Sequence, residues 1–155
     1  MVINLSNENS VLSEWVREIR DVSIQNDRMR FRRNIERIGE IAAYEISKSL
    51  AYNDITVQTP LGEAPCATVA SPPVIATILR AGIPLFQGLL NYFDQSDCAF
   101  IAAYRKHHRD GSFEIAQQYM TTPPIDNKPL ILADPMLATG ASLVLALKTL
   151  TANET

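Results

Sequence analysis

The chain has 155 residues, of which 46% are hydrophobic, and this is enough to build a substantial core in one domain spanning residues 1–155. Its formal net charge of −3 excludes the basic surface that nucleic acid or an anionic membrane would require. The N-terminus lacks a leader pattern, and no apolar run is long enough to span a membrane. Cys66 and Cys98 show neither metal-ligand spacing nor a disulfide framework, so we expect a cytoplasmic protein.

Two amphipathic helices are predicted near the N-terminus. Apolar residues recur at helical spacing from Val11 to Ser23, directly after Ser10, which is a good N-cap residue. A second helix is predicted from roughly Asp27 to Ala51. Both helices are expected to form a layer beside a sheet or against a partner subunit.

Five arginines are concentrated in the first half of the second helix, and they are Arg28, Arg30, Arg32, Arg33 and Arg37. Glu36, Glu40 and Glu45 offset their charge. We interpret the cluster as a solvated, salt-bridged helix face. A contribution to an anion site or to a subunit interface is the lesser alternative.

The middle of the chain reads as a hairpin followed by a buried strand. Ile55–Thr59 and Cys66–Val69 are predicted to pair around a turn, and Val74–Leu79 is a continuous apolar run. The run ends at Arg80, before a helix from about Ile83 to Tyr92. Ligands bind at the carboxyl ends of strands in open α/β sheets, so Arg80 is a candidate for ligand binding. From the residues alone, a surface cation is an equal alternative.

A second buried strand, Cys98–Tyr104, ends at Arg105. The polar segment Lys106–Gly111 predicts a turn that joins this strand to Ser112–Tyr119 in a hairpin flap. We expect the adjacent histidines within the turn to be solvated rather than to bind a metal, because no third ligand is near them in sequence.

The stretch Leu130–Leu150 predicts a strand, a loop and a helix. Leu130–Ala133 has strand length, and apolar residues recur at helical spacing after Ser142. Between them lies a loop whose glycine, hydroxyls and helix N-terminus suit a phosphate. Asp134 would repel a phosphate, so its presence favours a sugar phosphate, whose hydroxyls a carboxylate can accept. An ordinary corner capped by Ser142 is an equal alternative for the loop alone.

The sequence DPMLATGAS, residues 134–142, closely resembles the phosphoribosyl diphosphate (PRPP) loop of uracil phosphoribosyltransferases, members of the type I phosphoribosyltransferase fold. ILRAG at 78–82, AYR at 103–105 and RFRRNIERIGEIAAYE at 30–45 extend the resemblance in the family's order. It therefore covers most of the chain and is far more specific than a single glycine loop.

The resemblance implies an α/β fold with a parallel sheet core flanked by helices, an N-terminal helical layer and a β-hairpin flap. It implies a transferase that converts uracil and PRPP to UMP and diphosphate in pyrimidine salvage. A homodimer is expected by the same resemblance. Mg²⁺ is expected to arrive bound to PRPP, and no residues of the chain are assigned as metal ligands.

The resemblance also implies roles for individual residues. Asp134 would hold the ribose hydroxyls and stabilise the positively charged sugar, while Arg80 and Arg105 would neutralise the diphosphate. These three residues are the predicted catalytic set. The rest of the PRPP site is expected to be Pro135, Met136, Leu137, Ala138, Thr139, Gly140, Ala141 and Ser142, of which residues 138–142 would hold the 5′-phosphate.

Two departures from the family pattern carry expectations of their own. Ala141 stands where a second glycine is usual, and its methyl group would weaken binding if its φ had to be positive. The family's later segment Gly-Tyr-x-x-Pro-Gly-x-Gly-Asp, which recognises uracil, does not occur in the sequence. We therefore expect a chain truncated at its C-terminus, with C-terminal strands missing and poor activity alone.

Two alternatives to a poorly active enzyme stay open. One is a non-catalytic PRPP-binding or dimerisation domain, and the other is a fragment that assembles with the missing piece.

Overall fold

The computed structural model describes residues 2–107 and 113–152, and between 103 and 118 it describes the backbone alone. In chain order the elements are α1 (Val11–Arg20), α2 (Arg28–Ser47), β1 (Tyr52–Thr59), β2 (Gly62–Val69), β3 (Val74–Leu79), α3 (Ile83–Leu90), β4 (Cys98–His107), β5 (Phe113–Thr121), β6 (Leu130–Ala133) and α4 (Ala141–Ala152).

A four-stranded sheet forms the centre, in the order β5-β4-β3-β6. β3 is parallel to both of its neighbours, and β5 is antiparallel to β4. The first five residues of β3 are buried, because helices cover both faces of the sheet at this strand. The predicted bounds of β3 and β6 are confirmed, and so is the antiparallel flap hairpin of β4 and β5.

Side chains alternate between two apolar clusters on opposite faces of β3. Val74, Ala76 and Ile78 pack with Ala146 and Leu150 of α4. On the other face Ile75 packs with residues of α2 and α3, including Ala43, Phe86 and Leu89. The result is a sheet between two helical layers, with α4 on one side and α2 and α3 on the other.

α2 and α3 cross in backbone contact at two glycines. A Cβ atom on Gly88 would collide with the carbonyl oxygen of Glu36, and one on Gly39 would collide with that of Leu85. Neither position has room for a methyl group, and backbone atoms cannot give way as a flexible side chain would. The glycines therefore set how closely α2 approaches α3.

Gly88→Ala is expected to destabilise the protein by about 2 kcal/mol, because the cost of overpacking exceeds the gain in helix propensity. Urea unfolding at neutral pH measures the change. Gln87→Ala, on the exposed side of α3, is the matched control and should shift stability by less than about 0.5 kcal/mol. Equal stability of the two variants would contradict the close crossing.

α1 is attached to α2 by a polar network around Glu18. Its carboxylate accepts hydrogen bonds from Asn34 Nδ2 at 2.6 Å and from Arg30 Nη1 at 2.8 Å. Asn34 is fully buried, and its Oδ1 accepts a hydrogen bond from Arg37. The hydrogen bond from Asn34, followed by that from Arg30, lowers the pKa of Glu18 below its usual range.

Because the pKa of Glu18 is lower in the folded state, its contribution to stability is full above the unfolded pKa and is lost as pH falls through the folded value. Glu18→Gln should therefore lower the urea midpoint at pH 7, and the difference from wild type should shrink from about pH 5 downward. Glu63→Gln, at an exposed site in β2, should track wild type throughout. A difference for Glu18→Gln that is independent of pH would rule out this account.

The structure confirms the salt-bridged interpretation for two arginines of the second helix. Arg30 pairs with Glu18 at 2.8 Å, and Arg33 pairs with Glu36 at 2.6 Å. Arg37 instead lies over the ring of Trp15 at 5.7 Å from its centroid. The basic cluster is therefore largely bound to the N-terminal helical layer itself.

Several predicted boundaries differ in detail. α1 ends at Arg20, where the Asp21 backbone turns extended, and α2 ends at Ser47. β4 continues beyond its predicted end to His107, which pairs with Phe113. His108 lies outside the described residues. No helix in the described ranges is long and apolar enough to cross a membrane.

Candidate functional site

The candidate site begins where β3 and β6 end side by side. Thr77 is the Cα partner of Ala133, and its buried Oγ1 donates a hydrogen bond of 3.1 Å to the Ala133 carbonyl. Arg80 follows three residues after Thr77, and Asp134 follows Ala133 directly. Parallel pairing thus brings the two predicted turns to the same edge of the sheet.

The turn after β3 lies tightly against both strands. A Cβ atom on Gly82 would collide with Thr77 Oγ1 and would lie 3.0 Å from the Ala133 oxygen. Gly82 also donates its N–H to the Ile78 oxygen at 3.1 Å and stands at the N-cap of α3. The peptide bond between Leu79 and Arg80 is cis. The backbone position of Arg80 is therefore tied to both strands.

The loop after β6 is organised by its own backbone. The Met136 N–H donates to Asp134 Oδ1 at 3.2 Å, and the Gly140 N–H donates to the Leu137 oxygen at 2.7 Å. φ is positive at Ala138 (45°) and at Gly140 (73°). These contacts fold residues 134–140 into a compact corner whose tip, from Met136 to Thr139, is exposed.

α4 begins at Ala141, so its N-terminus adjoins this corner. Thr139 Oγ1 accepts a long hydrogen bond of 3.4 Å from the Ala141 N–H, whereas Ser142 is already inside the helix. Ser142 is therefore not the N-cap of α4, and the alternative of an ordinary corner is not tested by this geometry. Both hydroxyls lie within the first turn or just before it, where a helix offers unpaired N–H groups to an anion.

The methyl group of Ala141 is tolerated, because φ at this residue is not positive. Among the described residues other than glycine, positive φ occurs at Asn127 and Ala138. Ala141 is outside that set because it is the first residue of a helix. The strained position of this loop is Ala138, which the sequence did not mark.

Arg105 is placed by its backbone. Ala102 pairs with Leu79, and Arg105 lies three residues further along β4, where it pairs with Ile115 of β5. β4 thus extends beyond the end of β3 on the same edge as Arg80. The side chain of Arg105 lies outside the described part of the structure.

A cavity of about 690 Å³ opens beside these turns. Arg80, Pro135 and Met136 line it from the strand ends, while the N-terminal helices contribute Arg20 and Arg32. The sequence pattern does not mark Arg20 as a candidate site residue. It places Arg32 only within the charged face of the second helix. No local pattern marks Arg20, because its relation to Arg80 arises from tertiary packing.

In the described part of the chain, no group of three or more histidine, cysteine or acidic side chains could hold a metal ion.

The two glycines of the site should respond differently to an added methyl group. Gly140→Ala is expected to cost about 1 kcal/mol from its positive φ alone, since Leu137 Cδ1 is 3.6 Å from the new Cβ. Gly82→Ala should cost about 3 kcal/mol, although its φ is negative, because the new atom meets Thr77. Urea unfolding of both variants tests the order, and a larger loss for Gly140→Ala would contradict the structure.

The chain is similar to known proteins in both sequence and structure. The sequence model of the family described as uracil phosphoribosyltransferase matches residues 6–155. A uracil phosphoribosyltransferase of Porphyromonas gingivalis is 55% identical over 149 residues, which are 96% of this chain and 69% of that protein. One from Methanococcus maripaludis strain C5 is 34% identical over 140 residues, or 88% of this chain and 59% of that protein.

A solved structure of a protein from Aquifex aeolicus superposes with a TM-score of 0.80, covering 96% of this chain and 69% of its own. At 24% identity this likeness supports the fold alone. The predicted α/β architecture, with a parallel sheet core between helices, is confirmed. The chain spans 69% of the length of the Porphyromonas relative and 59% of that of the Methanococcus one.

Proposed function

We propose that the chain transfers the 5-phosphoribosyl group of PRPP to uracil. It belongs to the uracil phosphoribosyltransferase family. The products would be UMP and diphosphate, and the role would be pyrimidine salvage. The observation that carries the proposal is the register of β3 with β6, which brings Arg80 and Asp134 to one edge of the sheet. That edge offers a positive turn for a diphosphate and an acidic loop for a ribose.

The 5′-phosphate would bind at the N-terminus of α4. The first N–H groups of a helix lack internal partners, and the helix dipole favours an anion there. The hydroxyls of Thr139 and Ser142 can donate as well. In support, the corner is exposed at Thr139, and Gly140 places no side chain over the helix end.

The ribose would lie over Asp134. One carboxylate oxygen already accepts the Met136 N–H, which fixes the orientation of the group, and the ribose hydroxyls would donate to the carboxylate. The C1′–O bond breaks with its electron pair leaving on diphosphate, so the sugar becomes positive. A fixed negative charge nearby stabilises that state more than the neutral sugar. Uracil N1 then forms the new bond to C1′, and its proton passes to the released diphosphate or to water.

Arg80 and Arg105 would bind the leaving diphosphate and neutralise its charge. An arginine stays protonated through the reaction, so its role is electrostatic rather than acid–base. The positions of both backbones at the same sheet edge support this assignment. The remaining loop residues, Pro135 to Ala138 and Ala141, would shape the corner around the 5′-phosphate and ribose.

Mg²⁺ would bind with PRPP rather than to a protein cage. Bound there, it would supply positive charge to the diphosphate oxygens. The donor set is compatible with this mode, because no group of three metal-ligating side chains occurs among the described residues. The arginines would then share the diphosphate with the metal.

We further propose a cytoplasmic homodimer built from one domain, residues 1–155. The β1–β2 hairpin is a separate two-stranded sheet with largely exposed residues, including Tyr52 and Ile55. Two-stranded hairpins are marginally stable alone, so a second subunit packed on this hairpin would stabilise it. Both cysteines in the structure are unpaired, which supports a reducing compartment.

Asp134→Asn should lower kcat for uracil-dependent diphosphate release by about a hundredfold, because the fixed negative charge opposite the sugar is removed. The assay contains PRPP, uracil and Mg²⁺ and is run at saturating substrate. Asp126→Asn, an exposed carboxylate in the turn before β6, is the matched control and should retain wild-type kcat. Equal rates for the two variants would contradict the role given to Asp134.

The same assay separates the enzyme from a non-catalytic PRPP-binding domain. Release of diphosphate that requires uracil supports the transferase. Binding of PRPP without release would favour the binding domain, and absence of both would contradict the proposed site.

A further inference from the structure

Three arginines from distant parts of the chain line the cavity beside the PRPP loop. Arg20 is the last residue of α1, Arg32 lies in the second turn of α2, and Arg80 follows β3. Pro135 and Met136, directly after Asp134, form another part of the same wall. The cavity is thus continuous with the edge to which the proposed function assigns the diphosphate.

These three arginines differ from their neighbours in their contacts. On α1 and α2, Arg17, Arg30 and Arg33 each pair with a glutamate at 2.6 to 2.8 Å. Among residues whose side chains the structure describes, no ion pair or side-chain hydrogen bond is made by Arg20, Arg32 or Arg80. The cavity therefore concentrates positive charge that the fold leaves available to an anion.

The remaining walls of the cavity are apolar. Ile19, Phe31, Ile35 and Ile83 line it together with the arginines. The arginines are therefore the main polar anchors in that part of the cavity.

The two helices that carry Arg20 and Arg32 are fixed relative to Arg80. Glu18 joins α1 to the buried Asn34 of α2. The backbone contact at Gly39 and Gly88 joins α2 to α3, which begins directly after the Arg80 turn. The three guanidinium groups are thus carried on elements whose spacing is set by packing, as a preorganised anion site requires.

We propose that Arg20 and Arg32 extend the diphosphate site, so that they bind with Arg80 the diphosphate group of PRPP and the diphosphate product. This inference rests on the proposed function, which assigns the diphosphate to Arg80. A diphosphate presents several oxygens at once, and planar guanidinium groups bind such oxygens in pairs. Arg20 and Arg32 are then binding residues for the leaving group, contributed by the N-terminal helical layer.

The test is titration of the whole chain with inorganic diphosphate and Mg²⁺ by calorimetry, followed by KM measurements for PRPP. Arg32→Gln should weaken diphosphate binding by about tenfold, and Arg20→Gln should act in the same direction. Arg32→Lys keeps the charge without the planar fork and should lie between Arg32→Gln and wild type. Thermal melting of each variant confirms that the exposed substitutions leave the fold intact.

Arg28→Gln is the matched control, because Arg28 is exposed on the same helix, one turn before Arg32, and lies outside the cavity lining. It removes the same charge and should change diphosphate affinity by less than about twofold. Equal affinities of Arg28→Gln and Arg32→Gln would overturn the inference, as would an effect on oligomeric state without an effect on diphosphate.

A further pair of variants separates this inference from the proposed function. If Arg80→Gln weakens diphosphate binding and Arg32→Gln does not, the extended site is wrong and the assignment of Arg80 stands. If wild type does not bind diphosphate, both fail. Loss of affinity in Arg32→Gln without uracil-dependent turnover in wild type would support the anion site and contradict the transferase.

Discussion

Parallel pairing of β3 with β6 sets the geometry on which the candidate site depends. The two strands are adjacent only because β6 returns to β3 from the far end of the flap, so residues more than 50 positions apart become neighbours. The Thr77 hydroxyl donates a hydrogen bond from one strand to the other near their carboxyl ends. Gly82, in the turn after β3, packs closely against the same two strands. A shift of one residue in this register would move Asp134 relative to Arg80 and turn Thr77 away from Ala133.

The helical layer is tied to this edge by close backbone and polar contacts in addition to the apolar cluster that it shares with the sheet. α2 meets α3 backbone to backbone at Gly39 and Gly88, and α3 begins at the Gly82 turn. α1 is attached through Glu18, whose carboxylate serves both the buried Asn34 and Arg30. These contacts therefore set the position of Arg20 and Arg32 relative to the turn that carries Arg80.

Much of the fold could be predicted because its signals are local. Val74–Leu79 and Leu130–Ala133 are short apolar runs ended by a charged residue, and both strand assignments are confirmed. Such local patterns do not predict tertiary contacts. Glu36 lies at helical spacing from both Arg32 and Arg33, so the sequence predicts an ion pair with either. In the structure Glu36 pairs with Arg33, and Arg32 lines the cavity. Likewise, the sequence raises the question of a positive φ at Ala141, whereas the positive φ occurs at Ala138, where the corner reverses before the helix begins.

Charge is divided across the sheet edge in a way that suits a substrate with three different parts. Arginines that form no ion pair with a described side chain lie on the side of the N-terminal helices, the carboxylate of Asp134 follows β6, and the N-terminus of α4 lies after the next corner. Were Asp134 close enough to pair with Arg80, each would satisfy the other and neither would act on a ligand. The carboxylate of Asp134 instead accepts a hydrogen bond from the backbone N–H of Met136. The backbone thus orients the acid without an ion pair to a described arginine. A local hydrogen bond thus orients the acid, and under the proposed function the arginine would bind the anionic leaving group while the acid faces a sugar that becomes positive.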